Sequence, residues 1–181
     1  LLKNEESVQI PISKAFAVYN QVLTDGQNLP TNNLVVKILW TDNPELITSI
    51  GMNSKQGDPR DGSINLDFAK EQYGNAVVSL HNNSTDTPAY WSWHIWKTDA
   101  DPTAAPIAYT TESATIKDAA ILHTTKSNLA PLTTYFMDRN LGALAQIDIK
   151  ANPRSQKEVA MKAAGLQYQW GRKDPVPAFL P

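Results

Sequence analysis

The segment from Tyr90 to Pro102, with its core Trp91-Ser-Trp-His-Ile-Trp-Lys-Thr98, limits what this chain can fold into more than any other. Trp91, Trp93 and Ile95 recur at a period of two, and Ser92, His94 and Trp96 fall between them. That alternation is the signature of a β-strand, whose successive side chains point to opposite faces. One face is strongly apolar. The other, with Tyr90, His94 and Trp96, is mixed. Asp99, Asp101 and Pro102 then stop the strand.

The residues before it read as short strands able to pair with it. Val8, Ile10 and Ile12 alternate, but Pro11 cannot donate to a ladder, so this is an edge strand or one with a free side. Ala15 to Val22 extend it with a weaker pattern. Leu34, Val36, Ile38 and Trp40 share a face of the next strand, which Asn43-Pro44 ends. Leu46 to Met52 form a third, with Gly51 read as a bulge. Gly57 to Gly62 read as a polar loop. Ile64, Leu66 and Phe68, then Ala76, Val78 and Leu80, give two further alternating runs. Short strands at even spacing with turn residues between them predict an all-β fold, an immunoglobulin-like antiparallel β-sandwich.

After Asp101 the texture changes. Residues 102 to 135 are rich in Thr, Ala, Ser and Pro and read as loops with one or two short strands. Tyr135 to Met137 suit a short strand. Ser155 and Glu158 have the spacing of a capping box, Val159 to Ala164 form helix well, and Gly165 suits the C-terminal cap. The expected organisation is a β-sandwich domain over 1–101 and, over 102–181, an irregular extension with one short helix, or the start of a second, incomplete module. The chain opens at Leu1 and closes at Pro181 without a finishing element, which reads as processed, trimmed or partial.

Composition closes off several chemistries. With 41% hydrophobic and 19% charged residues the chain is globular rather than disordered. Sixteen basic against 18 acidic residues give a net charge of -2, so nothing calls for nucleic acid as a partner. With no cysteine, disulfides, thiolate metal sites and cysteine nucleophiles are excluded. His81, His94 and His123 lie far apart, without metal-site spacing. His94, on a strand among tryptophans, reads as a packed, hydrogen-bonded imidazole. Asp99 and Asp101, with Asp138 or Asp174, supply oxygens of the kind calcium takes, but no twelve-residue acidic loop exists, and the plainer reading is a solvated strand end. No nucleophile elbow or phosphate loop is present. No catalytic residue, cofactor site or metal site is assigned. Trp96, Tyr168 and Trp170 are the candidate ligand platform, weighed against simple core packing.

Three stretches together resemble a known family. Gly74-Asn-Ala-Val-Val-Ser-Leu80 leads into Trp91-Ser-Trp-His-Ile-Trp-Lys-Thr-Asp99. Phe136-Met-Asp-Arg-Asn-Leu-Gly142 follows, and Gly165-Leu-Gln-Tyr-Gln-Trp-Gly-Arg-Lys-Asp-Pro175 comes last. Their order resembles the fimbrillin-family surface proteins of Bacteroides-type bacteria over about residues 34 to 177. The pieces Met137 to Leu141 and Leu166 to Trp170 also resemble the opening of a module common in bacterial lipoproteins, lectin-like in fold. The resemblance implies an exported protein on the extracellular face of the outer membrane or in a fimbrium. It also implies an adhesive or structural role, without catalytic or binding residues to carry over.

The expected function is therefore a non-catalytic surface adhesin or fimbrial subunit, with other surface or fimbrial subunits bound through a sheet edge and a host glycan or protein as a further partner. The alternatives are a carbohydrate-binding accessory protein of a polysaccharide-uptake system and a fragment of a secreted hydrolase. One structural expectation is sharper. An outward Tyr90, His94 and Trp96 would form an apolar patch that monomers seldom leave bare, so residues 130 to 175 should cover it.

Overall fold

A computed structural model describes residues 2–3, 6–23, 28–55, 57–83, 88–111, 114–115, 128–129, 131–146 and 157–178. The alternating runs fold as strands: β1 (Leu2–Lys3), β2 (Ser7–Pro11), β3 (Leu34–Thr41), β4 (Ile47–Lys55), β5 (Asp58–Phe68), β6 (Gly74–Asn82) and β7 (Trp91–Thr98). One sheet has the order β1-β7-β6-β3 and a second the order β2-β5-β4. Their facing sides enclose one core. Ile64, Leu66 and Phe68 of β5 meet Ala76, Val78 and Leu80 of β6 and Ile95 of β7, with Ile12, Phe16, Leu34 and Leu46 closing the ends. The protein is an all-β sandwich. Pairing is antiparallel except between the short β1 and β7, which run parallel.

Several local expectations need correction. Residues after Ile12 do not extend β2. They form helix α1 (Ser13–Val18), continued by a wider turn over Tyr19–Leu23. Ile12, Ala15, Phe16 and Tyr19 are spaced for one face of a helix, and the first three are buried in the core. Gly51 is no bulge: it pairs in register with Asn65, and the irregularities lie between Ile47 and Ser49 and between Asn53 and Lys55. Most of the loop expected over 57–62 is the start of β5, which pairs back through Lys55 and Asp58 across a tight turn at Gly57 (φ +81°). As expected for a strand holding Pro11, β2 lies at a sheet edge, bonded to β5.

The extension contains more pairing than its composition suggested. β8 (Ile107–Thr110) pairs with β11 (Thr133–Phe136), and β9 (Ala114–Thr115) with β10 (Asn128–Leu129). Helix α2 (Lys157–Ala164) forms where expected, although Ser155 of the capping box lies outside the described residues. Gly165 ends the helix at φ +71°, where a Cβ would come 2.6 Å from the Leu141 carbonyl oxygen. β12 (Leu166–Gln167) and β13 (Val176–Pro177) close the final segment.

Strand β6 is dry on both sides. Ala76, Val78 and Leu80 face the core, yet Asn75, Val77, Ser79 and His81 on the opposite face of β6 are equally buried. On β7, Ser92, Trp96 and Thr98 are buried on that same outer face. Tyr90 departs from expectation. It precedes the strand and turns inward, where its ring meets Tyr19 edge-on at 5.7 Å and packs against the core.

Candidate functional site

The outer face of β6 and β7 holds most of the buried polar side chains among the described residues, and the three stretches behind the family resemblance converge there. In the antiparallel register Val77 opposes His94 and Asn75 opposes Trp96, so Asn75 reaches His94 on the diagonal. The Asp42 carboxylate accepts from the Asn75 backbone N–H at 2.6 Å and from Asn75 Nδ2 at 2.7 Å. Nδ2 also donates to the Gly142 carbonyl at 2.9 Å. Both partners can only accept, which fixes the amide: Asn75 Oδ1 is the atom 3.0 Å from His94 Nε2. His94 therefore carries its proton on Nε2. Its bare Nδ1 accepts from the Tyr168 hydroxyl at 3.0 Å.

This chain of bonds selects neutral His94. Burial pushes the imidazole pKa from 6.5 down to about 4, because an imidazolium would lose its hydration there. Burial raises the Tyr168 phenol for the same reason. Neither group is poised to give or take a proton near neutrality: the histidine stays a base too weak to ionise a phenol that has become a weaker acid.

Two further contacts flank it. The Arg139 guanidinium grips Asp138 with two nitrogens, at 2.7 and 3.0 Å, and donates to the Leu144 carbonyl at 3.2 Å. It lies 3.5 Å from the Thr98 hydroxyl. Donating hydrogen bonds to the Asp138 carboxylate raises the already high pKa of Arg139. At the other end, Lys173 Nζ donates to the Ser92 carbonyl at 2.5 Å and lies over the Trp91 ring, 4.6 Å from its centre. The Ser92 hydroxyl bonds Asp174. Lys173 Nζ also donates to the Ser92 hydroxyl at 2.5 Å and lies 3.1 Å from the Asp174 carboxylate. The trio is a staple between the final segment and β7.

Backbone contacts complete the seam. Leu144 and Ala145 N–H donate to the Lys162 carbonyl, Asn140 Nδ2 donates to the Ala164 carbonyl, and Leu166 N–H donates to Leu141. The bonds to Lys162 and Ala164 occupy carbonyls that the end of α2 would otherwise leave open. Gly142 sits at φ +83°, and a Cβ there would approach Leu166 Cγ at 2.6 Å and Asn75 Oδ1 at 3.1 Å. Among the described residues, 138–146 and 157–174 thus cover the outer face of β7. Comparison with family models, with curated proteins and with solved structures returned no match.

Two open surfaces adjoin this seam among the described residues. The β8–β11 hairpin and α2 flank an apolar groove of about 1310 Å³, lined by Tyr109, Phe136, Met137, Leu141, Val159 and Ala163 among others, with Asp138 and Arg139 alongside. Tyr109 and Phe136 meet edge-on at 5.4 Å. The second surface is the tip of the final segment, where Trp170 is fully exposed and Tyr168 is 47% exposed. Of the three residues expected to form a ligand platform, Trp96 is ruled out. At 3% exposure it offers no ring face, because the extension lies over its side of the strand. Asp99, Asp138 and Asp174 are not gathered into a cation site: Arg139 pairs with the first two and Lys173 with the third. No group of three or more metal-ligating side chains occurs among the described residues.

Sequence reasoning missed Asn75, Asp42 and Lys173 as site builders. The available signal was Asn75 next to Gly74 at the head of β6, a polar side chain placed where both faces are buried.

Proposed function

We propose that the protein is a non-catalytic cell-surface adhesin or fimbrial subunit that binds its neighbours through strand edges. The observation behind this reading is the amount of apolar side chain left bare on strands with open edges. β3 is bonded to β6 alone among the described residues and exposes Ile38 and Leu39. On the β8–β11 hairpin Tyr109, Tyr135 and Phe136 are each more than half exposed. A two-stranded hairpin is marginally stable by itself, and a monomer rarely leaves such strands uncovered. Pairing with another subunit would bury both.

Immunogold labelling of intact source bacteria, together with an adhesion assay on a deletion strain, tests the proposal. Label on the cell exterior or along filaments, with reduced attachment in the deletion strain, is the expected outcome. A purely internal location, or unchanged attachment, refutes it. The full exposure of Trp170 favours a second reading, a carbohydrate-binding accessory protein of a polysaccharide-uptake system.

A further inference from the structure

The loop from Leu166 to Pro177 is fastened at every point except its tip. Its base is the β12–β13 ladder, with Leu166 opposite Pro177 and Gln167 opposite Val176. On the ascending side Tyr168 is tied to His94. On the descending side Lys173 and Asp174 are tied to Ser92. Between these anchors Gln169 to Arg172 form a tight turn, with Arg172 N–H donating to the Gln169 carbonyl at 3.0 Å and Gly171 at φ +76° in its third position. A positive φ there is what a type II turn requires, and glycine supplies it. The second position tolerates nearly any residue. It holds Trp170, whose exposure is 101%.

The fold uses the phenol of Tyr168, the charges of Lys173 and Asp174 and the flexibility of Gly171. It makes no use of the Trp170 indole. A bare indole exposes the largest apolar surface of any side chain, yet the loop holds it out in water on an ordered backbone. Ordering that precedes binding removes much of the entropic cost of binding.

We infer that Trp170 is the stacking platform of a carbohydrate-binding site that receives the apolar face of a pyranose ring, with Gln167, Gln169 and Arg172 within the same turn to engage its hydroxyl groups. The inference deepens the second reading above and rests on it for ligand class. The surroundings select a sugar over a protein hot spot. A protein partner would call for an apolar zone around the anchor that becomes dry on binding. Here Gln167, Gln169, Gly171 and Arg172 beside the indole are all exposed, and their amides and guanidinium supply the donors and acceptors that an equatorial hydroxyl needs. A single convex ring also matches one sugar unit of a longer chain, so affinity per site should be modest and should gain from multivalent display.

The test is affinity electrophoresis in gels containing cellulose derivatives, xylan, mannan, pectin or mucin, followed by calorimetric titration of the retarding polymer's hexasaccharide. The samples are wild type, Trp170→Ala and Trp170→Phe. Retardation of the wild type, weakened about tenfold by Trp170→Ala and partly restored by Trp170→Phe, is the expected result. The bound sugar should also shift tryptophan emission in the wild type and leave it unmoved in Trp170→Phe. Binding that survives Trp170→Ala would overturn this site while leaving the carbohydrate reading intact. Absence of retardation by every polymer would overturn both. A loss of cell attachment in Trp170→Ala without any glycan binding would replace the sugar with a protein partner and refute the inference.

Discussion

Acidification should loosen the extension from the sandwich through His94. In the native protein its pKa lies at about 4, against about 6.5 in the unfolded chain. Between these values the unfolded state binds more protons, so stability rises with pH across the window. The contribution is complete above pH 6.5, is lost progressively as pH falls, and is gone by pH 4. The gap of about 2.5 units corresponds to at most about 3.4 kcal/mol at 1.36 kcal/mol per unit. His94 is only half-buried, so solvent screening reduces this to about 1–2 kcal/mol. In a chain of this length that is a fall of about 3–6 °C in Tm.

The local effect should be larger than the global one. Protonated Nδ1 can no longer accept from Tyr168, and the hydroxyl must rotate to receive instead. Hydrogen exchange over residues 157 to 178 should therefore accelerate between pH 7 and pH 4.5, after correction for intrinsic rates, while β5 and β6 stay protected. His94→Gln keeps a donor for Asn75 and does not titrate. Comparing the two proteins cancels the carboxylates and the other histidines. If wild type and His94→Gln lose the same stability between pH 7.5 and 4.5, the burial argument for His94 is wrong.

Two substitutions probe the same seam from other directions. Gly142→Ala combines a positive φ with contact on Leu166 and Asn75; it should cost about 2–4 kcal/mol, and a melting temperature within about 2 °C of wild type would count against this seam. Trp96→Ala should cost about 3–5 kcal/mol and half-buried Trp93→Ala somewhat less, with only the former selectively raising exchange over 157 to 178; equal, uniform increases in both variants would show that Trp96 does not belong to the docking face.

The strands of the sandwich were readable because period two is a local property: one buried face writes itself into alternate residues, as at Ile64, Leu66 and Phe68. Helix α1 was equally written, in Ile12, Ala15, Phe16 and Tyr19, but the alternation just before it masked a change of period. Covering of the outer face followed from Trp96 and His94, since an apolar side of an antiparallel sheet needs a partner. The chemistry of the cover was not legible. Asn75 and Gly142 are 67 residues apart, and Ser92 and Asp174 are 82 apart. No local pattern announces that a strand asparagine will hold a distant glycine carbonyl. The expected platform failed at Trp96 for a related reason: strand parity gives the face of a side chain, but not whether a later segment will lie over it.

The buried outer face of β6 also sets an order of events in folding. Asn75 and Ser92 on this face do not meet their partners until Gly142 and Asp174, synthesised 67 and 82 positions later, have returned to them. Contacts of such sequence separation close late and slowly. Until they close, the sandwich carries an aromatic sheet face beside an open strand edge, the surface through which β-proteins aggregate. Chains cut before residue 138 should therefore keep the sandwich's secondary structure yet self-associate, and nascent chains should depend on holding factors until the Gly165–Pro175 segment has emerged.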